Sequence, residues 1–133
     1  MLAIILTSIL LTLIQMGIGW LWYSKFLFGN LFIQYSNTDT TKITPAHMKK
    51  SLMMEAILTF VKSLLIYIIT ANIVLILPQY FFIITISIII LMMLTNFNDV
   101  IWGNKTIELV ILNMSHQGTA MLVAFVIARM VIA

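Results

Sequence analysis

The residues of this sequence that could do chemistry are few, and they lie within or beside long apolar runs. Glu55 and Lys62 stand seven positions apart, a spacing that returns to nearly the same face of an α-helix. Ser51, Thr59 and Ser63 fall on the same side. Such a stripe has two readings. It lines a charged cavity opening at one end of a helix bundle, or Glu55 sits among lipid headgroups while Lys62 snorkels there along its aliphatic stem. The second needs no site and is favoured. Further on, Glu108, Ser115, His116 and Thr119 share an arc of about 100°, and Asn113 and Gln117 extend it. His116 falls about 12 Å beyond Glu108 along the axis, which makes it the deepest ionisable group. A histidine so placed could relay a proton or bind a ligand. The favoured alternative is packing, through an interhelical hydrogen bond to Gln15, Asn72 or another polar side chain, worth roughly 0.6 kcal/mol. Asn96, Asn98 and Asp99 close a third apolar run. They cap it or pair with Lys105, or they join the other charges in one polar cluster. That cluster comprises Glu55, Lys62, Asp99, Glu108, Asn113, His116 and Gln117.

Several chemistries are not expected. The chain has no cysteine, which removes disulfides, iron–sulfur clusters and thiolate zinc sites. His47 belongs to a connector and His116 has no second histidine at i+4, so no metal site is anticipated. There is no phosphate-binding glycine loop, hydrolase triad or zinc motif. Glu55 and Glu108 can be imagined as a carboxylate pair, but nothing in the sequence sets their separation. No catalytic residue and no cofactor is assigned.

The elements that must position these groups follow from composition. Of 133 residues, 62% are hydrophobic and 8% charged, against about 25% charged in soluble domains. A soluble fold of this size would expose large apolar patches. The expected class is therefore all-α: a single integral-membrane bundle of four transmembrane helices. The basic residues are too few and scattered for a nucleic-acid surface. The spans are placed at about Leu2–Tyr23, Leu52–Leu77, Tyr80–Ile101 and Ile107–Ile127. The first is too long for a secretory signal's apolar region and lacks a basic stretch before it, so it is read as a mature helix. Gly17 and Gly19 in it allow close approach of a neighbouring backbone. The connector from Ser24 to Lys50 starts with a short interfacial segment over Lys25–Tyr35 and a loop over Ser36–Thr41. Thr44-Pro45 then has the form of a helix start, with Thr44 as N-cap and Pro45 at the first position. The second helix stops at Pro78.

Lys25, Lys42, Lys49, Lys50 and Lys105 fall on one side of such a bundle, and Arg129 falls on the other. Lys and Arg collect on the cytoplasmic side. Both termini are therefore expected outside and the long connector inside. Trp20, Trp22, Tyr23 and Trp102 would anchor the inner interface, and Tyr80, Phe81 and Phe82 the outer one.

Two segments carry a resemblance. The run Gly19-Trp20-Leu21-Trp22-Tyr23-Ser24-Lys25-Phe26-Leu27-Phe28-Gly29 resembles the Gly-x-Leu-Trp-Tyr-Ser-Pro-x-x-Phe-Gly signature of small bacterial membrane proteins known as domain of unknown function 1761. The run Trp102–Gln117 is similar to that family's segment leading into its last helix, with Trp102, Lys105 and Asn113 matching. Lys25 replaces the signature proline, and Gly103-Asn104 replaces an acid-Gly pair. His116-Gln117 stands where the family has Tyr-His. The resemblance implies four membrane helices and a bacterial inner membrane, and it implies no activity.

Three functions compete. The leading one is a structural or accessory subunit acting through homo-oligomerisation or a membrane partner, since little of the chain lies outside the spans. The alternative is a small dimeric transporter or permease using the polar cluster and His116. Known four-helix drug exporters carry an essential acid in their first helix, where this chain has only Gln15. A lipid-modifying enzyme using Glu108, His116 or Asp99 as acid or base comes third.

Overall fold

A computed structural model describes residues 2–37, 44–103 and 105–132. The described residues form helices and turns, without strands. The helices are α1 (Leu2–Trp22), α2 (Gly29–Ser36), α3 (Pro45–Ile76), α4 (Phe81–Leu94), α5 (Phe97–Ile101) and α6 (Ile107–Ile132). Four segments are long and apolar enough to cross a bilayer: α1, α3, the stretch Pro78–Ile101 and α6. The expected loop over Ser36–Thr41 begins instead as the last residue of α2. From Thr38 onward it falls outside the described residues, as do Lys42 and Asn104.

Local chemistry sets the helix ends. The Thr44 side chain accepts a hydrogen bond from the His47 backbone N–H, and Pro45 takes the first turn. Proline is tolerated there because its missing N–H would have no helical partner. At the other end of α3, Pro78 begins a single 3-10 turn over Pro78–Tyr80 that reverses the chain into α4. The expected third span is not one helix but α4 and α5. The Thr95 hydroxyl donates to Met92 O, and the Asn96 amide donates to Met92 O and Met93 O. Side chains that compete for the backbone acceptors of the preceding turn weaken the helical ladder there.

α1, α3 and α6 pack on one another, and α4 packs chiefly on α6. Ala120, Ala124 and Ala128 recur every fourth residue of α6 and are buried, so the helix backbones can approach closely. Ala124 and Ala128, with Leu11, Ile66, Ile73, Phe81, Ile89, Met121 and Phe125, form the apolar core. Phe81 does not mark an interface as expected. It is buried, and the Arg129 guanidinium lies 4.6 Å from its ring centroid. Phe82 and Tyr80 remain exposed.

The burial pattern is inverted relative to a water-soluble bundle. Ser8, Ser63, Thr70 and Thr85 are fully buried, whereas Leu75 is 82% exposed and Ile83 and Leu91 are each 67% exposed. Small polar residues gather where helices touch, and large aliphatic residues cover the outside. A surface of this kind is stable only against an apolar solvent or a partner.

Candidate functional site

A cavity of about 820 Å³ lies between α1, α3 and α6, at the end where α1 finishes and the other two begin. Two bonds fix the register of its walls. The Gln15 amide donates to Ser63 Oγ at 2.8 Å, joining α1 to α3. The Tyr23 hydroxyl donates to Asn113 Oδ1 at 2.7 Å, joining the end of α1 to α6. Ser63 also accepts from the Thr12 hydroxyl at 3.2 Å. Helices α1 and α3 run antiparallel. Stepping eight residues from Gln15 reaches Tyr23, and stepping eight back from Ser63 reaches Glu55, so Tyr23 and Glu55 share a level.

Five of the seven expected cluster residues line this cavity: Glu55, Lys62, Asn113, His116 and Gln117. Asp99 and Glu108 are not among its lining residues. Asp99 lies on α5 and pairs with Lys105 at 2.6 Å, with both side chains substantially exposed. Glu108 is exposed in the first turn of α6. The reason is angular. At about 100° per residue, Asn113, His116, Gln117 and Ala120 occupy one sector of α6, and Glu108, Ser115 and Thr119 occupy another. The sequence places all of them on one broad polar arc. Packing divides that arc, turning the first group to the cavity and leaving the second exposed.

Each lining group has a distinct environment. The Glu55 carboxylate accepts from the Thr59 hydroxyl at 3.2 Å. Lys62 forms no ion pair or hydrogen bond among the described residues. Gln15 Oε1 is buried without a partner. Gln117 accepts from the Asn96 amide at 2.9 Å, tying the cavity wall to the break between α4 and α5.

His116 does not make the hydrogen bond expected of it. Gln15 is engaged with Ser63, and Asn72 bonds Ile68 O on its own helix. The imidazole instead packs edge-on against Tyr23, centroids 5.1 Å apart, and lies tilted 6.0 Å from Trp22. Its Nε2 is buried and unpartnered. That nitrogen lies against Gly19, where a Cβ would come within 3.2 Å. Gly19 therefore makes room for a side chain rather than a neighbouring backbone, and Gly17 has nothing near its missing Cβ.

The expected aromatic anchors also divide. Trp102 is 79% exposed at the end of α5, and Trp20 is exposed while lining the cavity. Trp22 and Tyr23 turn inward. Trp22 packs on Phe28 at 4.9 Å, and Tyr23 packs edge-on against Phe32 at the same distance. Phe32, Met16 and Leu52 complete the apolar part of the wall. No sequence signal singles out these three, because an apolar side chain in an apolar chain carries no mark of the cavity it faces. Among the described residues, no group of three or more His, Cys, Asp or Glu could hold a metal ion.

Compared with protein-family models, curated proteins and solved structures, the chain has no match.

Proposed function

We propose that this chain is a multi-pass integral membrane protein that takes a small amphipathic molecule into the cavity between α1, α3 and α6 and acts as a carrier or permease. The cavity is the observation that carries this reading. Its volume lies within the range of about 300–1,000 Å³ usual for small-molecule sites. Its walls combine apolar side chains with a few polar groups, among them Glu55, Lys62 and Asn113. Gly19 and Gly29, which bound the run resembling domain of unknown function 1761, shape this same region: one admits His116 and the other permits the turn behind Tyr23.

The membrane reading rests on the four long apolar segments and the inverted burial. On the lysine distribution we read the long connector as cytoplasmic, and the resemblance to domain of unknown function 1761 implies a bacterial inner membrane. Leu2 and Ile132 lie at the outer face and the cavity opens toward the cytoplasm. A cysteine replacing Lys49, which is exposed at the start of α3, should react with a membrane-impermeant maleimide in inverted vesicles. Labelling in intact cells would reverse the orientation.

A retained ligand tests the carrier reading. The protein, extracted in a mild detergent and examined by native mass spectrometry, should carry a small molecule that heating or organic solvent releases. A preparation that neither retains nor takes up any small molecule, and instead holds a stoichiometric foreign subunit, would replace the carrier with an accessory role. One observation favours that second reading. Glu108, Ser115 and Thr119 form an exposed polar face on α6, suited to a partner helix from a second copy or another membrane protein.

A further inference from the structure

We infer that the molecule held in this cavity is a zwitterion, with its anionic group at Lys62 and its cationic group at Glu55 among Trp20, Tyr23 and Phe32. The inference rests on the carrier reading and adds the chemistry of the ligand. Glu55 and Lys62 both line the cavity from the same helix. Seven residues of helix separate them by about 10 Å and return them to nearly one face. They carry opposite charges, yet among the described residues no ion pair joins them, and the only side-chain bond to either is the hydroxyl that Thr59 offers Glu55. A free ammonium in a low-dielectric wall is costly unless an anion meets it. A cationic ligand would leave Lys62 unmet, and a ligand bearing only the anion would leave the exposed Glu55 carboxylate without a counter-charge. A zwitterion neutralises both without adding net charge to the membrane interior.

The aromatic residues give the cationic end its place. Tyr23 is level with Glu55 through the Gln15–Ser63 register, and its ring lies 4.9 Å from that of Phe32. Trp20 lines the same cavity and is 74% exposed. Aromatic rings beside a carboxylate suit an ammonium group, especially a quaternary one, through the attraction of a cation to the ring face. At the level of Gln15 and Ser63, by contrast, Lys62 is the charged group on α3. The cavity thus has a cation-seeking end toward the cytoplasmic mouth and an anion-seeking end deeper in. A zwitterionic lipid headgroup and a free zwitterionic solute share this chemistry.

Three probes with one alkyl chain test the assignment on the purified protein in lipid nanodiscs, by calorimetric titration. Hexylphosphocholine should bind at least about tenfold more tightly than hexyl phosphate or hexyltrimethylammonium, the scale expected when one charged contact is lost. Lys62→Met should abolish the preference over hexyltrimethylammonium, and Lys62→Arg should keep it. Glu55→Gln should abolish the preference over hexyl phosphate. Neither side chain bonds another helix, so these variants should melt like the wild type. Glycerophosphocholine, which has no alkyl tail, separates the two sources: comparable binding assigns a soluble zwitterion, and loss of binding beside retained hexylphosphocholine assigns a lipid headgroup. Equal affinity for the three alkyl probes would overturn the zwitterion and leave the carrier standing. Binding of none of the probes would overturn the zwitterion, and the carrier falls with it only if the purified protein also retains no small molecule.

Discussion

Replacing Gly29 with alanine should destabilise the protein by about 3 kcal/mol, the upper end of what overpacking costs. A Cβ at this position would lie 2.5 Å from Tyr23 O and 2.7 Å from Ser24 O. Those atoms belong to the backbone and cannot swing aside as a side chain would. The turn that places them is bonded throughout. Phe28 N donates to Trp22 O, Gly29 N donates to Ser24 O, and the Ser24 hydroxyl donates to Leu21 O. Admitting a methyl group means breaking some of these bonds and moving α2 away from the end of α1. Phe32 would move with α2, opening its contact with Tyr23 and the wall of the cavity. Reversible unfolding in mixed micelles measures the loss. Gly17→Ala is the matched control, because nothing lies within 4 Å of its missing Cβ. In a helix interior that change should stabilise by about 0.5–1 kcal/mol. If the two variants unfold alike, the steric account of the turn is wrong.

Phe125→Ala is expected to cost about 3 kcal/mol, while Leu75→Ala should stay within about 0.5 kcal/mol of the wild type. Phe125 is completely buried among α6 neighbours and the other core helices, and Leu75 is 82% exposed on α3. On the proposed membrane reading there is no hydrophobic gain from joining two apolar helices, so the loss at Phe125 is one of dispersion contacts and an unfilled cavity. For that reason the estimate sits at the low end of the values measured for buried aromatic residues in soluble proteins. Leu75 is 82% exposed, so on the same reading it faces lipid and its truncation leaves no void within the protein. Comparable destabilisation by the two substitutions would mean that the exposed aliphatic surface is covered by protein, and that the inverted burial has another explanation.

Much of the architecture is legible in the sequence because apolar runs of this length have one economical use. The four segments, the helix start at Thr44-Pro45 and the stop at Pro78 all rest on local chemistry: apolar length, a capping hydroxyl and a residue without an N–H. The break at Thr95-Asn96 is less legible. The same residues read equally well as the polar end of a continuous span, and only their bonds to Met92 O and Met93 O distinguish the cases.

The polar residues show where sequence stops and tertiary structure begins. Their kinds, their spacing and their concentration toward one end of the helices are properties of the chain, set by helical periodicity alone. Periodicity assigns a residue to a face and leaves open what that face meets. Glu108 and His116 occupy neighbouring sectors of one helix, yet α1 and α3 enclose only the sector of His116. Lys105 draws Asp99 away from the cluster, and Gly19 gives the imidazole a place that no donor or acceptor fills. These outcomes depend on which helices touch and at what register. That is decided by contacts between residues about fifty to ninety positions apart, such as Gln15 with Ser63 and Tyr23 with Asn113, whose partnership no local spacing encodes.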